Sequence, residues 1–224
     1  AERSFSEVIA AAENGEAQGF ELPGLLSLSA TTGLRRTESM NVLAILPGSA
    51  AALKDQYVLV TAHLDHLGRG AAVAGDSIYN GAHDNAVGVG ILLEMARALH
   101  ASGSRPRRSI VFAALAAEEK GLIGSDYLAA HPQFSFIQRG VPSIMLASGH
   151  KARDKNVDAG ALHLDFMENR YHQPSDDLTL PVDYAGAADL AKVNLRLVLD
   201  VANTTEKPQW KPRDFFGTKF PRAR

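Results

Sequence analysis

Four short stretches of this sequence carry the side chains from which hydrolytic metal sites are built. They are His63-Leu64-Asp65, Asp84 within Gly81-Ala-His-Asp-Asn85, Glu118-Glu119, and His172 within Tyr171-His-Gln-Pro-Ser-Asp-Asp177. Neutral imidazoles and carboxylates hold catalytic zinc, and a carboxylate beside a ligand can take a proton from water. The chain has no cysteine, which excludes disulfides, thiolate-held zinc and thiol nucleophiles; any metal falls to His, Asp and Glu. In such a site His63 offers a neutral nitrogen, and Asp65, two positions on, can orient its ring. Asp84 can bridge two ions, Glu119 can ligate, and Glu118 can act as the base.

Each fragment alone also has an ordinary structural reading. A His-x-Asp is a common surface hydrogen-bonding pair, Asp84-Asn85 before a helix is an N-cap signature, and paired glutamates suit the positive end of a helix. His172 fits a turn, and His66, His83, His100, His131 and His150 are assigned to structural roles. What argues for a site is where the fragments fall.

Tyr57-Val-Leu-Val-Thr-Ala62 and Ser109-Ile-Val-Phe-Ala-Ala-Leu115 are continuous apolar runs, the pattern of strands covered on both faces. Between them Val87, Ile91, Met95 and Leu99 recur at helical spacing, so strand, helix and strand imply a right-handed crossover and a parallel pairing. His63 and Asp65 then lie just past the carboxyl end of one strand, Glu118-Glu119 past the other, and Asp84 in the loop that opens the helix. Open α/β sheets bind ligands at that end. Elsewhere the pattern predicts a short helix and turn over 1–24, strands over Leu25–Glu38 and Asn41–Leu46, a helix over Glu119–Ala130 and a strand over Val141–Ala147. A closing helix is expected over Tyr184–Asn203, with Leu190, Val193, Leu197 and Val201 on one face. The expected class is α/β, a mixed and mostly parallel central sheet flanked by helices. Residues 1–24 read as an edge segment or the remnant of a preceding domain, and 25–224 as the main domain.

A formal charge of −2, from 23 basic and 25 acidic residues, leaves no electrostatic footprint for nucleic acid or an anionic membrane. No apolar run reaches the roughly 18 residues of a spanning helix. The first residues lack the basic-then-apolar pattern of a signal peptide, so an exported protein would be represented here by its processed form. The aromatic tail with Trp210, Phe215 and Phe216 is expected to pack on its own domain.

Order and spacing together resemble the M28 family of zinc-dependent aminopeptidases. The similar segments are Thr61-Ala-His-Leu-Asp-His-Leu-Gly68, the stretch from Gly75 through Asn80-Gly-Ala-His-Asp-Asn-Ala-Val-Gly88, Ala117-Glu-Glu-Lys-Gly-Leu-Ile-Gly-Ser125, Gly140-Val-Pro-Ser-Ile144 and Tyr171–Asp177. The resemblance implies the zinc-dependent exopeptidase fold and hydrolysis of peptides or small proteins at a free N-terminus. It implies that Asp84 bridges two zinc ions, that Glu119 and His172 complete one site, that His63 belongs to the other with Asp65 as its partner, and that Glu118 is the general base. By analogy with the family it also implies a secreted or periplasmic location.

The sequence departs from the family in one place. A further ligand Asp, usually at a strand end between the Glu pair and the final His, has no counterpart. Only 53 positions separate Glu119 from His172, and Ala130-His-Pro132 runs almost directly into Gln133-Phe-Ser-Phe136, which places an internal deletion near residue 132. Asp126 lies in the expected helix, and Asp154, Asp158 and Asp165 beyond the expected strand. The expectation is one strong zinc site and a weakened second one. Two other readings compete with the peptidase: a single-zinc transferase like glutaminyl cyclase, and a scaffold domain with a vestigial site.

Overall fold

The computed structural model describes residues 3–21, 24–25, 27–34, 36–128, 136–137, 140–179 and 182–220. The chain divides into two compact units, Ala1–Thr37 and Glu38–Arg224. The first holds helix α1, Phe5–Glu13, started by a reciprocal cap: Ser4 accepts from the Glu7 amide and the Glu7 carboxylate accepts from the Ser4 amide at 2.7 Å. The strand expected over Leu25–Glu38 does not form among the described residues of that segment.

In the second unit the two apolar runs are strands, as their pattern predicts. β1 (Val42–Leu46), β2 (Tyr57–His63) and β5 (Ser109–Leu115) form a mixed sheet in the order β1-β5-β2, antiparallel at the first pairing and parallel at the second. The register sets Tyr57 beside Ser109 and His63 beside Leu115, so the two parallel strands end level with each other. A hairpin of β3 (Gly68–Val73) and β4 (Asp76–Tyr79) follows β2. The backbone then enters a wide turn over Ala82–Ala86 and helix α2, Val87–Ala101, before returning as β5.

α2 packs with the long helix α5, Tyr184–Asn203, against β2 and β5. Their common core is Ala62, Leu92, Met95, Leu99, Ile110, Phe112, Ala191, Val198 and Ala202. The helix over 184–203 has the expected bounds but a different buried face. Ala191, Val198 and Ala202 face inward with Leu195 and Leu199, while Val193 is 57% exposed. Small alanines let the two helices approach closely, a property that a search for large apolar residues does not detect.

Arg108 fixes this layer to the sheet. It is 2% exposed, and its guanidinium donates to the carbonyls of Val201, Thr204, Thr205 and Glu206 and to the side-chain oxygen of Gln56. A cation at the carboxyl end of α5 also complements the helix dipole. Arg108→Met is expected to destabilise the domain by about 3 kcal/mol, because four carbonyls and the Gln56 side chain lose a charged donor at once. Urea denaturation would check this.

The expected helix over Glu119–Ala130 starts later, as α3 at Ile123–Leu128. Ala117, Gly121 and Leu122 have φ of 56°, 98° and 63°, left-handed values that keep the helix from starting at Glu119. Residues 141–149, expected to include a strand, have no regular secondary structure. Helices α4 (Ala159–Asn169) and α6 (Phe215–Lys219) lie further along the chain. In the tail Trp210 packs on Phe216, ring centroids 5.8 Å apart. No helix of the described residues is long and apolar enough to cross a membrane.

Candidate metal centre

His63 is the last residue of β2, and the chain past β5 brings Glu118 and Glu119 to the same end of the sheet. Asp65 locks the two ends together: its carboxylate accepts from the amides of Glu118 and Glu119, at 3.0 and 3.3 Å. Its backbone carbonyl lies 3.1 Å from His63 Nδ1, closer than its carboxylate at 4.0 Å. Thus the carbonyl of Asp65 orients the His63 ring, and its carboxylate holds the glutamate turn. Asn41 adds a second brace, accepting from the Ala116 amide at 2.9 Å and donating to the Gly124 carbonyl at 2.7 Å. Gly124 must remain without a side chain, because a Cβ there would lie 2.0 Å from the Ala116 oxygen.

Asp84 sits in the wide turn before α2. Capping at this point is done by its neighbour Asn85, whose side-chain oxygen accepts from the Gly88 amide at 3.0 Å, leaving the Asp84 carboxylate for the site. One oxygen, Oδ1, is 3.2 Å from His63 Nε2; the other, Oδ2, is 3.6 Å from His172 Nε2. His172 Nε2 is also 3.1 Å from Glu119 Oε2. His172 has a φ of 58° and its ring stacks on Tyr171 at 3.9 Å. Glu118 Oε2 lies 4.0 Å from His63 Nε2. The structure therefore brings all six predicted residues to one place.

The two glutamates differ in exposure. Glu119 is 5% exposed and Glu118 is 33% exposed, so the first is enclosed among potential ligands and the second is open to water. Burial pushes the Glu118 carboxyl above its ordinary range; His63 opposes the rise, and Glu119, Asp84 and Asp65 add to it. For His63 burial is the largest influence and disfavours protonation, but Asp84, the Asp65 carbonyl and Glu118 outweigh it and raise the imidazole to about 9. An incoming cation must compete with that proton. The Asp84 carboxyl is lowered, first by its hydrogen bond with His63.

The donor set fits zinc. Bonds of about 2.1 Å from zinc to N or O put neighbouring atoms of one tetrahedral ion roughly 3.4 Å apart. The pairs at 3.1, 3.2 and 3.6 Å bracket that spacing, with the two Asp84 oxygens turned toward different histidines. Among the described residues, two compact groups of potential ligands occur, His63-Glu118-Glu119 and His66-Asp84-Glu119. No aspartate other than Asp84 joins either group. Asp126, Asp154, Asp158 and Asp165 are in neither, and the proposed deletion point near residue 132 lies outside the described residues.

Sequence reasoning gave no part in the site to two residues that the geometry brings in, Asp176 and His66, the latter assigned only a structural role. Asp176, 3% exposed, accepts from the amides of His83 and Asp84 at 2.7 and 3.0 Å, and its carbonyl accepts from the Ala82 amide at 3.0 Å. It thereby fastens the His172 loop to the Asp84 turn. Its signal in the sequence was only the first of two aspartates after Pro174-Ser175. Asp176→Asn, with one acceptor oxygen where two are used, is expected to cost about 2 kcal/mol and to weaken zinc binding. A thermal melt and a zinc titration of the variant would test both. The other residue is His66, whose Nδ1 lies 2.8 Å from Glu119 Oε1.

Comparison with known proteins gives a consistent result. Residues 41–157 match the sequence profile of Peptidase family M28. Aminopeptidase NAALADL1 of Rattus norvegicus is 39% identical over 104 residues, 45% of this chain and 12% of its own length. A probable zinc metalloprotease of Pyrenophora tritici-repentis is 29% identical over 165 residues, 72% of this chain and 37% of its own. The chain thus spans well under half the length of either relative. Among solved structures, LapB from Legionella pneumophila superposes with a TM-score of 0.50 at 20% identity, over 73% of this chain and 56% of that one, a likeness of fold.

Proposed function

Because this chain belongs to peptidase family M28, we propose that it is a zinc-dependent peptidase that removes residues from the free N-terminus of a peptide. The observation that carries this reading is the divided Asp84 carboxylate, one oxygen toward His63 and the other toward His172, with Glu118 on the same rim. Asp84, Glu119 and His172 would hold one zinc, and His63 with Asp84 a second, weaker one. Zinc, when bound, supplies Lewis acidity that polarises a carbonyl and makes water easier to deprotonate.

The remaining work falls to the chain's own groups. Glu118 Oε2 accepts a proton from the attacking water and returns it to the departing amine, so the base is regenerated in each cycle. A carboxyl raised by burial is suited to that exchange, since it holds a transferred proton more firmly than an ordinary glutamate does. Asp65 keeps Glu118 in place through its amide, and the enclosed carboxylates give a substrate ammonium a favourable place to bind.

The test is zinc-restored hydrolysis of leucine p-nitroanilide set beside the N-acetylated compound and an N-terminal glutaminyl peptide. Cleavage of the first, no cleavage of the N-acetylated compound and no cyclisation of the glutaminyl peptide are expected. Cyclisation of the glutaminyl peptide without hydrolysis would favour the transferase reading, and inertness of all three with zinc bound would favour the scaffold.

A further inference from the structure

His66 follows the His63-Leu-Asp65 motif directly and has none of the roles given above. Its side chain is 4% exposed. Its Nδ1 is 2.8 Å from Glu119 Oε1, while Nε2 is buried and has no hydrogen-bond partner among the described residues. The ring is seated on the Gly81 backbone: a Cβ on Gly81 would come within 2.5 Å of His66 Cγ, and the φ of 68° there also favours glycine. His66 and His172 meet edge to face, centroids 5.7 Å apart, His66 at Oε1 and His172 at Oε2 of the Glu119 carboxylate.

We propose that His66 is a positioning residue that orients the Glu119 carboxylate, its Nδ1–H donating to Oε1 and leaving Oε2, beside His172, as the oxygen free to bind a cation. The choice of tautomer follows from burial. With the proton on Nδ1, the nitrogen lacking a partner is a bare acceptor; with the proton on Nε2, it would be a buried N–H, which is the less tolerated orphan. A carboxylate ligand held through its second oxygen has fewer orientations to lose when it binds, so its metal affinity rises. Histidine also has the right reach: it spans the gap from the β2 end to the glutamate turn while its ring fills the space against Gly81.

This inference rests on the reading of the cluster as a metal centre, and its test separates the two. Zinc affinity would be measured by competition with a chromogenic chelator for the wild type, His66→Ala, His66→Leu and His66→Asn. The Leu variant fills the space without a donor, in case the Ala variant does not fold. Loss of the donor is expected to weaken zinc about 10–100-fold, and Asn, whose amide N–H can stand where Nδ1–H stands, is expected to restore binding to within about threefold of wild type. Unchanged affinity in the Leu variant, or an Asn variant as weak as Leu, would overturn the proposal. Long-range ¹⁵N–¹H spectra of the metal-free protein read the tautomer independently of zinc. A proton on Nδ1 is expected, and one on Nε2 alone overturns the inference. A wild type that binds no zinc would count against the metal centre itself and leave the tautomer to decide the role of His66.

Discussion

Glu118→Gln is expected to lower the rate of peptide hydrolysis by about 10²–10⁴-fold, the usual contribution of a positioned general base, with little effect on zinc content. Glutamine keeps the size and hydrogen-bonding shape of the side chain but cannot take up a proton. The 33% exposure of Glu118 and its 4.0 Å distance from His63 place it beside the presumptive ligands, outside the pairs that approach most closely. Its backbone amide still donates to Asp65 in the variant, so the glutamate turn should stay intact and Glu119 should remain where it is. The pH profile gives a second sign of the same role. Protonation of the base ends its function, so the acid limb of activity should lie above the ordinary glutamate value of 4.5, because burial and neighbouring carboxylates raise Glu118. A Gln variant that kept full activity, or an acid limb at or below 4.5, would refute the assignment.

The parts legible in the sequence were those fixed by local pattern. The runs Tyr57–Ala62 and Ser109–Leu115 read as strands because β2 and β5 need apolar side chains on successive positions, and the place of the candidate site residues at their ends followed from that. What could not be read depended on partners distant in sequence. Val141–Ala147 has the composition of a strand, but a strand exists only through its ladder, and residues 141–149 pair with no strand. The face of α5 was misjudged because Ala191 and Ala202 carry little hydrophobic signal, yet they are where the helix meets the core. Asp65 shows the same limit within the site. Its place after His63 suggested a carboxylate behind the imidazole, but the carboxylate faces amides 53 and 54 residues on, while its carbonyl takes the imidazole. His66 and Asp176 were passed over for the same reason, since their partners, Glu119 and the Asp84 turn, are far along the chain.

Zinc titration of the metal-free protein should show unequal binding, one tight site and one much weaker. The His172 side of Asp84 has a third candidate ligand, Glu119 Oε2, at 3.1 Å from His172 Nε2, and three protein ligands with room for water would be the usual catalytic arrangement. The His63 side has His63 and the shared Asp84, with Glu118 at 4.0 Å reserved for proton transfer on the reading above. A cation there also displaces the proton that His63 holds to about 9. The two sites can then be told apart by substitution. His172→Ala should abolish the tight site, with a loss larger than the roughly 10–100-fold caused by removing an outer hydrogen-bonding partner. His63→Ala should leave the tight site nearly intact and remove the weak one. Two tight and equal sites in the wild type would show that another residue supplies the carboxylate for which the His63 side has no counterpart. Equal losses in the two variants would mean that Asp84 binds its ions as one cooperative unit, so that neither histidine has a site of its own.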